Sequence, residues 1–112
     1  MTLDDREYDA LALPELVALV QALDDDDAAS FEAELASDIL AIEFSDGAKY
    51  VVNSHRAARQ IWMAAERSAW HFDWEPGAKR WVAQKSGDEL WSTLERMLTQ
   101  KLGRSVALRR PG

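Results

Sequence analysis

Residues 24–27 are four consecutive aspartates, and Glu32 and Glu34 follow within seven positions. Side chains two apart in a strand point the same way, so Glu32 and Glu34 share a face. Together Asp24, Asp25, Asp27, Glu32 and Glu34 make a candidate metal site of oxygen ligands only. Such a set suits hard cations such as Fe(III), Ca²⁺ or Mn²⁺, and suits Fe(II) weakly, because imidazole and thiolate are missing. Exposed ligands without a cage bind at micromolar strength or weaker, about −8 kcal/mol at most. The plainer alternative is a solvated acidic turn. As structure alone the run is poorly placed, since a helix C-terminus is negative and each misplaced carboxylate costs about 0.3–1 kcal/mol.

A second constellation lies in QIWMAAERSAWHFDW, residues 60–74, which holds three of the five tryptophans. Alternation puts Ile61 and Met63 on one side of a strand and Gln60 and Trp62 on the other. In the following strand Trp70, Phe72 and Trp74 point inward, leaving His71 and Asp73 on the side of Trp62. With Asn53 this gives an indole ringed by amides, imidazole and carboxylate, the composition of a protein-binding hot spot. The alternative is a tryptophan lying flat on its cross-strand neighbours and stabilising the sheet by about 0.2–1 kcal/mol per pair. The two histidines, His55 in a loop after Asn53 and His71 on the open face, read as inert surface residues. Two are too few for a histidine-rich metal cage.

These residues must be positioned by one domain, 1–112. The composition, 47 % hydrophobic and 29 % charged, supports a single core at this length. No apolar run reaches the roughly 18 residues of a membrane span. The acidic start MTLDDREYD is no export or transit signal, which points to a cytoplasmic protein. With no cysteine there are no disulfides, thiolate nucleophiles or cysteine-based clusters. Charge is divided unevenly. Residues 1–46 hold 14 acids against Arg6 alone, whereas the rest holds 12 bases against 6 acids. An acidic surface of this kind steers cationic partners and argues against nucleic acid.

Apolar spacing predicts a helix from about Asp5 to Leu23, with Tyr8, Leu11, Ala12, Leu16, Leu19, Val20 and Leu23 on one stripe. Pro14 either starts that helix or kinks it, at roughly 3 kcal/mol for an interior position. Alternating runs predict strands at 31–35, 39–44, 49–53, 60–64, 69–75 and 80–84. Asp46-Gly47 and Pro76-Gly77 supply turns between them. Ser86-Gly87-Asp88-Glu89 matches a capping box, followed by the apolar stripe Leu90, Trp91, Leu94, Met97, Leu98 and Leu102, with Gly103 as a left-handed cap. Trp70, Trp74, Trp81 and Trp91 are assigned to the core. The order, helix, six strands, helix, predicts an α+β two-layer sandwich in which both helices cover one face of an antiparallel sheet.

This order, together with local strings, resembles the frataxin family, most closely its bacterial CyaY-like branch. The strings are Glu7–Ala12, Asp38–Ile42, Val51–Asn53, Gln60–Met63, His71–Asp73, Lys79–Val82 and Ser86-Gly87 with Leu90. The likeness covers about residues 6–108. Pro14 departs from it, and Val20 and Gln21 stand where bacterial relatives often carry acids, so the ridge begins later here. The resemblance implies weak binding of Fe²⁺ or Fe³⁺ on the ridge and a role as adaptor or regulator of iron–sulfur cluster assembly. It also implies that Trp62 and the neighbouring amides face the iron–sulfur scaffold protein, while the ridge faces basic residues of the cysteine desulfurase. A monomer that metal could drive into oligomers is expected. No phosphate loop, nucleophile elbow or HExxH motif is present, so no enzyme is expected beyond weak ferroxidase-like iron oxidation. An acidic inhibitor imitating nucleic acid is one alternative from another class, and ferroxidase-type iron oxidation or storage is a second.

Overall fold

The computed structural model describes residues 3–25 and 31–110. Its elements are α1 (Asp5–Asp24), β1 (Phe31–Ala36), β2 (Ile39–Phe44), β3 (Lys49–His55), β4 (Gln60–Ala65), β5 (Ser68–Glu75), β6 (Arg80–Val82) and α2 (Leu90–Leu102), with a 3₁₀ turn at Arg56–Ala58. The strands form one antiparallel sheet in sequential order. Both helices lie on one face of it, giving the expected two-layer α+β sandwich. Among the described residues no helix is long and apolar enough to cross a membrane.

Helix α1 begins with a reciprocal cap. The Glu7 amide donates to Asp4 Oδ1 at 2.8 Å, and the Asp4 amide donates to Glu7 Oε1 at 3.1 Å. Tyr8, Ala12, Leu16, Leu19, Ala22 and Leu23 are buried on one stripe. The helix runs through Pro14, so Pro14 does not start it. Pro14 has no amide to donate to the Ala10 carbonyl, and Ala10 and Pro14 are both exposed, so water can replace the missing donor. Tyr8 fixes the helix to the sheet: its hydroxyl donates to the Gln60 carbonyl at 2.6 Å and accepts from the His55 amide at 3.0 Å. Burial pushes this phenol above its ordinary pKa.

The inner face of the sheet carries Leu40, Ile42, Phe44, Tyr50, Val52, Ile61, Met63, Phe72 and Trp81, all buried. Alternation alone places them there, because a one-residue slip would turn the whole set outward. Two core assignments need correction. Trp81 and Trp91 are buried, but Trp70 and Trp74 are only half-buried against the core. The last strand also differs from expectation, stopping at Val82 rather than Gln84. There the Ala83 amide turns to the Asp88 carbonyl, at 2.7 Å, and leaves the β5 edge uncovered.

The start of α2 also differs from the expected capping box. Ser86 does not serve Glu89; its hydroxyl donates to Asp88 Oδ2 at 2.9 Å. Glu89 is itself the cap, its carboxylate accepting from the Trp91 amide at 2.9 Å and the Ser92 amide at 3.2 Å. Glu89 does the work of a capping serine because it stands at the N-cap position, two and three residues before the amides it serves. Gly103 ends the helix in the left-handed region, at φ 69°. Beyond it the chain folds back over α2, burying Val106 and Leu108. Their amides donate to Thr99 Oγ1 at 3.1 Å and Glu95 Oε2 at 2.7 Å. Arg110 then pairs with Glu89 and sits over the Trp91 ring.

Candidate functional sites on the open face and the acidic border

Among the described residues, no helix covers the outer face of the sheet. Register lines its polar residues into two adjacent rows: Asn53 lies opposite Trp62, which lies opposite His71, and His55 lies opposite Gln60, which lies opposite Asp73. All of the residues expected on this face are therefore together. His55 joins them, contrary to the expected loop, because β3 runs two residues further and His55 keeps the parity of Asn53. That parity was the signal in the sequence.

Trp62 is neither loose nor buried. It is sandwiched between two imidazoles, with ring centroids 3.8 Å from His55 and 4.2 Å from His71 and interplanar angles of 14° and 15°. Its indole N–H donates to Gln60 Oε1 at 2.8 Å, and the Gln60 amide donates to Asp73 Oδ1 at 3.1 Å. Asn53 is turned to the Ser54 carbonyl at 3.0 Å. Stacking and one directed hydrogen bond leave Trp62 a single orientation before any partner arrives. A half-buried, pre-ordered ring loses little rotamer freedom on docking, which is what an anchor residue requires. Beside it Ile39, opposite Asn53, is 49 % exposed.

The acidic border lies at the other end of the sheet. Asp24 is the last residue of α1 and Asp25 its C-cap, with no basic residue in the final turn to offset the helix dipole. Glu32 and Glu34 are exposed on β1. Asp27 lies outside the described residues. Asp24, Glu32 and Glu34 line one surface hollow of about 600 Å³ with Glu43 and Lys49. Glu43, directly opposite Glu32, is an acid the sequence reading missed. The i+2 parity of Ala41 and Glu43 on β2 was the available signal. Lys49 brings a cation into the cluster, 3.6 Å from Glu43. Among the described residues, no side-chain hydrogen bond or ion pair engages Asp24, Asp25, Glu32 or Glu34. Among the described residues, no group of three or more His, Asp or Glu is poised to hold an ion. The donor set suits a hard cation held loosely, not a closed coordination shell.

An α-β6-α sandwich with one bare sheet face and an acidic border has a counterpart among known families. Residues 1–104 match the model of the frataxin-like domain, and the chain belongs to that family, which is known in iron–sulfur cluster assembly. Two solved structures are similar in fold. Frataxin from Psychromonas ingrahamii, studied for stability modulation within the CyaY protein family, superposes with a TM-score of 0.85 at 21 % identity. That match covers 96 % of this chain and 100 % of the other. Yeast frataxin gives a TM-score of 0.72 at 24 % identity, covering 91 % and 85 %.

Proposed function

We propose that this protein is a non-enzymatic, iron-binding adaptor that regulates iron–sulfur cluster assembly in the cytoplasm. Its open face, with Asn53, Gln60, Trp62, His71 and Asp73, docks on the scaffold protein. Its acidic border, with Asp24, Asp25, Asp27, Glu32 and Glu34, meets basic residues of the cysteine desulfurase and takes iron weakly. The reading is supported by family membership, and the observation that carries it is the clamped Trp62 on a face that no helix covers. A lone surface tryptophan lowers solubility and adds nothing to the core. One held by two stacked rings and a hydrogen bond is built to be met.

Each surface has its own physics. The border presents unpaired negative charge, which speeds encounter with a basic partner and is screened by salt. The open face presents apolar area already fixed in shape, which governs how long the complex lasts. Iron at the border is cargo or signal, and the described residues form no cage to hold it.

NMR titration of the full chain tests this, with Fe(II) in one series and the desulfurase–scaffold complex in another. Fe(II) should shift Asp24, Asp25, Glu32 and Glu34, and the complex should shift that border together with Trp62 and His71. Fe(II) shifts centred elsewhere, or a complex that leaves the Trp62 indole resonance unmoved, would overturn the proposal.

A further inference from the structure

The β5 edge offers a second mode of contact beside the docking face, with which its groove shares Gln60, His71 and Asp73. Strand β5 runs from Ser68 to Glu75, but β6 pairs only with Asp73–Glu75. The chain then turns away at Ala83, whose carbonyl accepts from the amides of Ser86 and Gly87 at 3.2 and 2.7 Å. Ser68–Phe72 thus have β4 on one side and no strand on the other among the described residues. In an antiparallel strand every second residue aims its amide and carbonyl at the missing neighbour. Folds usually hide such an edge, because it is a template for pairing.

Here the edge is shaped, not hidden. A groove of about 480 Å³ lies between it and the 83–86 turn, with Ala69, Trp70, His71 and Lys85 among its walls. The Trp70 indole donates across to Asp88 Oδ2 at 3.2 Å, and Arg96 holds the same carboxylate at 3.4 Å, so the turn is fixed at a set distance from the strand. Five residues of strand span about 17 Å, room for an extended peptide of similar length.

Charge indicates the occupant. Arg67 immediately precedes the open edge and Lys85 stands on the facing turn, and neither has a hydrogen bond or ion pair among the described residues. Among the described residues, the one acid lining the groove is Asp73, which lies where β6 begins to pair and is engaged by Gln60. We propose that the open edge of β5, Ser68–Phe72, accepts an extended acidic segment of a partner protein as an added strand, its carboxylates paired with Arg67 and Lys85. Backbone bonds give this mode its affinity, and alternate side chains give its specificity. One set of ligand side chains meets the half-buried flank of Trp70 and favours apolar residues. The other set lies over Ala69 and His71 and favours acids.

The probe is a blocked heptapeptide of alternating Glu and Val, titrated into the full chain by NMR with amide exchange as second readout. Expected are shifts at Ser68–Phe72 and Lys85, and slowed exchange at alternate amides of that stretch. Arg67→Glu with Lys85→Glu should weaken binding about tenfold or more, as expected for two reversed surface pairs. Both substitutions are at exposed positions, and the exchange pattern of the core reports whether the variant remains folded. Equal binding of the Lys–Val counterpart, no shifts at millimolar peptide, or protection outside β5 would each overturn the proposal. So would concentration-dependent pairing of two copies through this edge that the peptide does not displace.

Discussion

The open face and the acidic border are built in opposite ways. On the face, Trp62 is clamped by His55, His71 and Gln60 before any encounter. On the border, Asp24, Asp25, Glu32 and Glu34 have no side-chain partner among the described residues, and the nearby cation Lys49 answers Glu43. One surface has shape without much charge, and the other has charge without fixed shape. Shape confers selectivity for a partner of matching contour. Unpaired charge attracts many cations and holds none of them closely.

The largest effect should follow from Trp62→Ala. Removing a pre-ordered anchor should weaken docking to the desulfurase–scaffold complex by about 2–4 kcal/mol, some thirty-fold or more in Kd. Two lost ring contacts should cost only about 1–2 kcal/mol of stability, against about 3–5 kcal/mol for Trp81→Ala in the core. Titration calorimetry beside thermal melts measures both quantities. Full affinity with a heavily destabilised variant would mean that Trp62 serves the sheet and not the partner.

Salt should separate the surfaces next. Raising ionic strength from about 0.05 to 0.5 M should slow association with the complex about tenfold, as screening of an electrostatic patch does. The decrement caused by Trp62→Ala should stay the same at both salts. Stopped-flow association would expose an error if salt and the tryptophan proved to act on the same rate.

At the border, Asp24→Asn and Asp25→Asn should each raise the melting point of the metal-free protein by a few degrees, since about 0.3–1 kcal/mol of helix-end repulsion disappears. The same changes should weaken Fe(II) binding. Unchanged or lower melting points would show that these charges are already answered.

Smaller still, Lys49→Gln should strengthen Fe(II) binding a fewfold, because a surface pair worth about 0.2–1 kcal/mol no longer offsets Glu43. Weaker binding in that variant would mean that Lys49 shapes the hollow instead of competing with the cation.

Asp88 supplies the contrast of an acid that is bonded. Hydrogen bonds from Ser86, Arg96 and Trp70 hold its carboxyl below the ordinary value. A lowered folded-state pKa adds stability that is present above the unfolded value, about 4, and lost as pH falls through the folded one. Asp88→Asn should therefore lower the melting point slightly at pH 7 and flatten its fall on acidification. An identical acid limb in both proteins would remove that assignment.

Alternation and apolar spacing settled the element order, the sheet's inner residues and the placing of Trp62 outward, because burial acts at each position through its neighbours two or four along. The shared side of Glu32 and Glu34 could be read for the same reason, whereas the packing of α1 on the sheet brings Asp24 to them. Three features depended on particular partners that alternation does not encode. The end of β6 was decided by an Ala83–Asp88 turn, the capping of α2 by the reach of Glu89, and the stacking of His55 by the length of β3. The tail that buries Val106 and Leu108 belongs with them, since its alternation has meaning only against α2. Local pattern determines which side of an element faces in. Where an element stops, and what its exposed side meets, is a competition among hydrogen-bond partners that only the folded chain brings together.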